Sequence, residues 1–172
     1  MQSLTILFVI LQAVGAILGA GGAVWGEITY FQAIRDGRID RAEREHLGVI
    51  ARALRWGMLV LLLSSIALVL LAFIVESPVQ LAVTPSYWAL MTFALAVIWA
   101  SWALSRRKVA FWFGSAVAFT GWWMMALLAL GRFPALSYGA MLAFAVVACA
   151  IIAGILAYLR SFYPRAREPR EL

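Results

Sequence analysis

The chain has 172 residues, of which 65% are hydrophobic and 13% charged, against about 25% charged in soluble globular proteins. That leaves too little polar surface to coat a water-soluble particle, and the apolar runs use up the residues a separate soluble catalytic domain would need. The net charge of +6 does not indicate nucleic acid, because the arginines gather at the ends of apolar runs, where they act as topology signals and contacts for anionic lipids.

Five apolar runs reach the roughly 20-residue length that a membrane-crossing helix requires. They extend from Leu4 to about Phe31, from about Val49 to Val75, from Ser86 to Leu104, from Val109 to Leu130 and from Leu136 to Tyr158. The predicted fold class is all-α, an integral membrane bundle of five transmembrane helices over residues 1–160. A polar, proline-interrupted, flexible cytoplasmic tail follows over 161–172. The start, Met1-Gln2-Ser3-Leu4, carries no basic residue, and the first run is longer than a signal-peptide core, so it reads as a retained span. The first two runs exceed the bilayer thickness and are expected to tilt or protrude.

The first run carries Gly15, Gly19, Gly22 and Gly26. Gly15 with Gly19, and Gly22 with Gly26, are small-xxx-small pairs seven residues apart. They share a face on which a second backbone can approach closely. That face is expected to pack against another helix of the bundle or against a partner. Glu27 is the acidic residue well inside the first run, and an intramembrane carboxylate is costly enough to suggest function. A hairpin turning near Gly37 would bring Glu27 level with about residue 48, within about a turn of His46 and Arg52. The expected outcome is an ion pair locking the hairpin, or a proton or cation site at the cytoplasmic mouth.

The connector Asp36-Gly37-Arg38-Ile39-Asp40-Arg41-Ala42-Glu43 has the spacing of the back half of a calcium-binding loop. The first two ligand positions would be Gln32 and Ile34, so the acidic start is missing. The plainer reading is a glycine turn followed by an Asp40 helix cap with Glu43 three residues on, which starts the second helix near Asp40. His46 is the sole histidine, which excludes intrachain bis-histidine haem ligation and a multi-histidine metal site; no metal site is predicted. Ser77-Pro78 and Thr84-Pro85 bracket the second connector. The short Ser105-Arg106-Arg107-Lys108 makes the third and fourth helices a hairpin, and Gly131-Arg132-Phe133-Pro134 separates the fourth from the fifth. Met124-Met125 and the lone Cys149 read as core filling, and a single cysteine forms no intrachain disulfide.

Orientation follows from the basic residues. Arg35, Arg38, Arg41, Arg44, Arg52 and Arg55 surround the first connector; Arg106, Arg107 and Lys108 form the third; Arg160, Arg165, Arg167 and Arg170 follow the last run. On the other side stands only Arg132. The positive-inside rule then sets the N-terminus outside and the C-terminus in the cytoplasm. Trp25, Trp56, Trp102, Trp112 and Tyr158 fall near the basic ends, and Tyr87, Trp88 and Tyr138 near the opposite ends, as interfacial aromatics do. Trp99, Trp122 and Trp123 lie deeper, where packing or a bound ligand is needed to account for them.

A Gly-rich end of the first helix, Gly19-Ala20-Gly21-Gly22, is followed by a charged connector and by Arg52-Ala53-Leu54-Arg55-Trp56-Gly57 running into Ser64-Ser65-Ile66-Ala67-Leu68. Over residues 7–72 this pattern resembles small bacterial membrane proteins related to the copper-resistance-D type, families of largely unknown function. The resemblance implies a bacterial inner-membrane setting and a helical-hairpin architecture. Where such proteins often place a histidine in the first helix, this chain has Gln12.

No nucleophile–base pair, phosphate loop or pair of carboxylates stands out within the spans, so the first reading is non-catalytic. It is an accessory or interaction subunit packing against partner helices, lipids (anionic ones included) or hydrophobic cofactors, alone as a homo-oligomer or with other membrane subunits. No particular cofactor is predicted; lipid, quinone and pigment all remain open. A second reading is an oligomeric channel or transporter for a small ion or solute. Glu27 would stand near its cytoplasmic mouth, and Gln12, Ser64, Ser65, Ser101, Ser115 and Thr120 along its path. A third is a membrane redox or haem-linked protein.

Overall fold

A computed structural model describes residues 2–36, 41–76 and 80–161, with side chains placed outside 33–36 and 41–44. Sustained apolar sequence without internal proline gives long helices: α1 (Gln2–Asp36), α2 (Arg41–Ile74), α3 (Pro85–Ser105), α4 (Phe111–Ala129) and α5 (Tyr138–Ser161). A short 3-10 turn, Leu81–Val83, precedes α3. All five helices are long and apolar enough to cross a membrane, and no strand occurs among the described residues. At about 1.5 Å per residue α1 and α2 each exceed 50 Å, well beyond a roughly 30 Å hydrocarbon layer. The start of α2 at Arg41 matches the expected start near Asp40. The Gly37 turn, the Asp40 cap, the calcium-loop comparison, Ser77-Pro78 and the tail from residue 162 lie outside the described residues.

Local chemistry sets the helix ends. Pro85 occupies the first turn of α3, where its missing N–H costs nothing. Thr84 caps that helix: its hydroxyl accepts from the Tyr87 N–H at 3.3 Å. At the C-terminus of α3, the Lys108 N–H reaches the Ala103 carbonyl and the Arg107 N–H that of Leu104. The chain reverses there with Arg107 in the left-handed region, at φ 53°. The same pair of bonds closes α4, with Gly131 in the left-handed position.

The helices run up and down. Gly15, Gly22 and Gly26 of α1 face Leu61, Leu54 and Ile50 of α2, in antiparallel register, and Gly114 and Gly121 of α4 face Leu104 and Val97 of α3. The basic ends of all five helices therefore lie together. The core is centred on α4, nine of whose nineteen residues are buried, among them Trp122, Met124 and Met125. Ala16 and Leu61 close it from the hairpin side, and Phe93 and Val97 from α3. Met124 and Met125 are core residues at 3% and 0% exposure. In contrast, only Met141 and Leu156 of the 24 residues of α5 are buried, and Cys149 is half-buried.

Candidate functional site

The glycine face of α1 is filled from within the chain. A Cβ added at Gly15 would lie 2.8 Å from the Gly57 carbonyl oxygen and the Leu61 nitrogen, so the two backbones touch. A Cβ at Gly19 would fall inside the Trp122 ring, at 1.9–2.5 Å from its carbons. Gly19 is thus the slot that admits the indole of α4. Gly22 meets Leu54 at 3.0 Å and Gly26 meets Ile50 at 3.8 Å. Trp122, at 2% exposure, is a packing residue, whereas Trp99 and Trp123 project outward, as do Trp25, Trp56, Trp102 and Trp112.

Glu27 stands two turns below this slot, toward the basic end. Its partner is neither residue that the hairpin register suggested. Arg160, from the last turns of α5, places Nη2 3.0 Å from Glu27 Oε2 and 2.9 Å from Ser115 Oγ of α4. The two charged side chains are 12% and 14% exposed. Aromatic rings line the guanidinium: its central carbon is 5.2 Å from the centroids of Tyr30 and Phe111 and 6.0 Å from that of Phe31. Tyr30 and Phe111 themselves stack with centroids 4.0 Å apart. The Arg160 Nε–H is buried and has no acceptor among the described residues. Arginine suits this position because it stacks on aromatic faces while holding a carboxylate.

The other two residues suggested as partners are engaged elsewhere. The Trp25 indole N–H donates to His46 Nε2 at 2.9 Å. Arg52 donates from Nε to the Gly48 carbonyl of its own helix, at 3.4 Å. The hairpin-locking pair is therefore replaced by one between the first and last helices. Sequence reasoning missed Arg160 by counting it among the boundary arginines. One signal was available: Glu27 and Arg160 lie almost equally far along their runs from Leu4 and Leu136, so two helices running in the same direction bring them level.

This cluster can neutralise a buried carboxylate and fix the end of α5 against α1 and α4. Several hydroxyls in the spans are satisfied within their own helix. Ser64 donates to the Val60 carbonyl and Ser65 to that of Leu61, both at 2.7 Å, and Thr29 to that of Trp25 at 2.9 Å. Thr120 Oγ1 is buried with no partner among the described residues. Near the other end of α5 the hydroxyls of Thr92 and Tyr138 are 2.9 Å apart. Between these two fastenings an apolar cleft of about 290 Å³ opens between α3, α4 and α5, floored by Phe93, Gly121 and Met124 and flanked by Ala145 and Cys149. No three His, Cys, Asp or Glu side chains converge as a metal site among the described residues. No protein-family model, characterised protein or solved structure matches the chain.

Proposed function

We propose that the chain is a non-catalytic accessory subunit of a bacterial inner membrane, which packs against partner helices, lipids or hydrophobic cofactors through its α5 side. In this reading the N-terminus is outside and the C-terminus is cytoplasmic. The supporting observation is the contrast between helices: α4 is enclosed, while α5 buries two residues and leaves Val146, Val147, Ile151 and Tyr158 at least 58% exposed. Lipid supplies no hydrophobic drive for helix association, so a helix held by two polar fastenings and little interior packing is suited to share its face with another surface. The thirteen basic residues gathered by the sequence at one end supply contacts for anionic headgroups.

Extraction with the surrounding lipid into polymer-bounded discs, followed by native mass spectrometry, tests this reading. The expected mass is that of an assembly, with a second copy or another membrane subunit. Val147→Trp and Ile151→Trp should dissociate it while leaving the helical content unchanged. A chain recovered only as a free monomer would overturn the reading.

A further inference from the structure

A second, smaller cavity lies toward the end of the bundle remote from the basic residues. It is half-open, with a volume of about 130 Å³ between α1, α2, the 3-10 turn, the start of α3 and the end of α4. Its polar wall is Gln12, Ser65, Thr84, Ser86 and Tyr87, and its apolar wall is one leucine each from α2, the 3-10 turn, α3 and α4. Two of the polar groups are fixed by their own bonds. Ser65 Oγ donates to the Leu61 carbonyl at 2.7 Å and accepts from Gln12 Nε2 at 2.8 Å. Thr84 Oγ1 donates to the Leu81 carbonyl at 2.7 Å and accepts the Tyr87 N–H. Among the described residues this leaves the second amide hydrogen and the carbonyl of Gln12, the Tyr87 phenol and the Ser86 hydroxyl directed to nothing else within the protein.

We propose that this cavity binds a neutral, ring-sized membrane molecule with hydrogen-bond-accepting oxygens, the chemistry of a quinone head group. Size comes first: an enclosed apolar cavity of roughly 150 Å³ admits benzene, so a half-open one of about 130 Å³ takes a single six-membered ring with its substituents toward the opening. Charge comes second: the lining holds no Asp, Glu, Lys, Arg or His, and a charged ligand here would lose hydration without a counter-ion. Arrangement comes third: an apolar wall of four leucines faces a few polar groups, the combination of burial and orientation that small-molecule sites use. The leucines offer flat contact to ring faces, while Gln12 and Tyr87 supply N–H and O–H donors to ring oxygens. The site binds the ring; no electron transfer is part of the proposal. It rests on the accessory-subunit reading and adds to it a cofactor site away from the α5 face, since no α5 residue lines the cavity.

The test uses the full chain in lipid nanodiscs, with a benzoquinone bearing a single isoprene unit as probe and tryptophan quenching as readout. Trp88 is the near reporter; its ring is 5.8 Å from Tyr87 and its N–H donates to the Ala82 carbonyl in the adjoining turn. Wild type should quench saturably. Gln12→Leu should raise the half-saturating concentration about tenfold, the worth of one buried hydrogen bond. Tyr87→Phe should do the same with a smaller change of shape, and Thr120→Val, in the other cleft, should leave the curve unchanged. Quenching that rises linearly with quinone in the lipid, or saturates identically in Gln12→Leu and Tyr87→Phe, overturns the proposal. Linear quenching by a chain that still purifies in an assembly sinks the quinone site alone. Saturable, Gln12-dependent quenching by a lone monomer sinks the subunit reading alone.

Discussion

Arg160 shows how one side chain is assigned by its surroundings rather than by its type. In the sequence it is an arginine just after an apolar run, as Arg106 and Arg165 are, and such residues ordinarily reach for the interface. In the fold it turns inward, because Glu27 and Ser115 offer acceptors and Tyr30, Phe31 and Phe111 offer ring faces. Removing one member of a buried pair leaves the other uncompensated, which costs about 3 kcal/mol or more. Arg160→Ala should therefore lower the unfolding midpoint in detergent more than Glu27→Gln does, since it abolishes the stacking as well and leaves a naked carboxylate. The double variant Glu27→Gln/Arg160→Gln should recover part of the loss. Thermal unfolding followed by tryptophan fluorescence checks this ranking, and equal melting of all four proteins would refute the clasp. The carboxylate stood out in the sequence; its partner was overlooked because a hairpin register ranks only neighbours in the chain, while the matching depth of Arg160 along the last run appears only when non-adjacent helices are compared.

At the scale of the helix, the glycines of α1 separate into positions that tolerate a methyl group and positions that do not. Spacing alone identified Gly15, Gly19, Gly22 and Gly26 as one face, and Gly21 falls off it. What the spacing could not contain is the identity of the neighbours: a backbone at Gly15 and an indole at Gly19. The substitutions should differ accordingly. Gly15→Ala meets backbone atoms that cannot rotate away, and forcing the hairpin apart should cost about 2 kcal/mol. Gly19→Ala evicts the Trp122 ring, so loss of stability should accompany a red-shifted tryptophan emission. Gly21→Ala meets nothing within 4 Å and should be neutral or slightly stabilising. A Gly21→Ala variant as unstable as Gly15→Ala would mean that this packing is not what holds the hairpin.

For the molecule as a whole, span number and span boundaries were legible because the lipid environment demands length and apolarity, which composition reports directly. The fifth helix runs to Ser161, three residues past its expected end at Tyr158, because Arg160 is held within the bundle. Sidedness rests on the distribution of lysine and arginine. It predicts that a reporter active only in the cytoplasm works when fused after Leu172 and in the Arg106–Lys108 connector, and fails in the 131–137 connector. The opposite pattern would reverse the assignment of every end described by its basic residues. Neutralising Arg106, Arg107 and Lys108 together should produce a mixed population by the same reporter.

The Glu27–Arg160 clasp also sets an order of events during biosynthesis. A ribosome delivers α1 before α5, and the cation for Glu27 arrives only with the closing turns of the fifth helix. Until then the carboxylate lacks the arginine that pairs with it in the finished fold, however well the hairpin of α1 and α2 is fitted at Gly15 and Gly57. Arrival of the fifth helix and neutralisation of the first are one step.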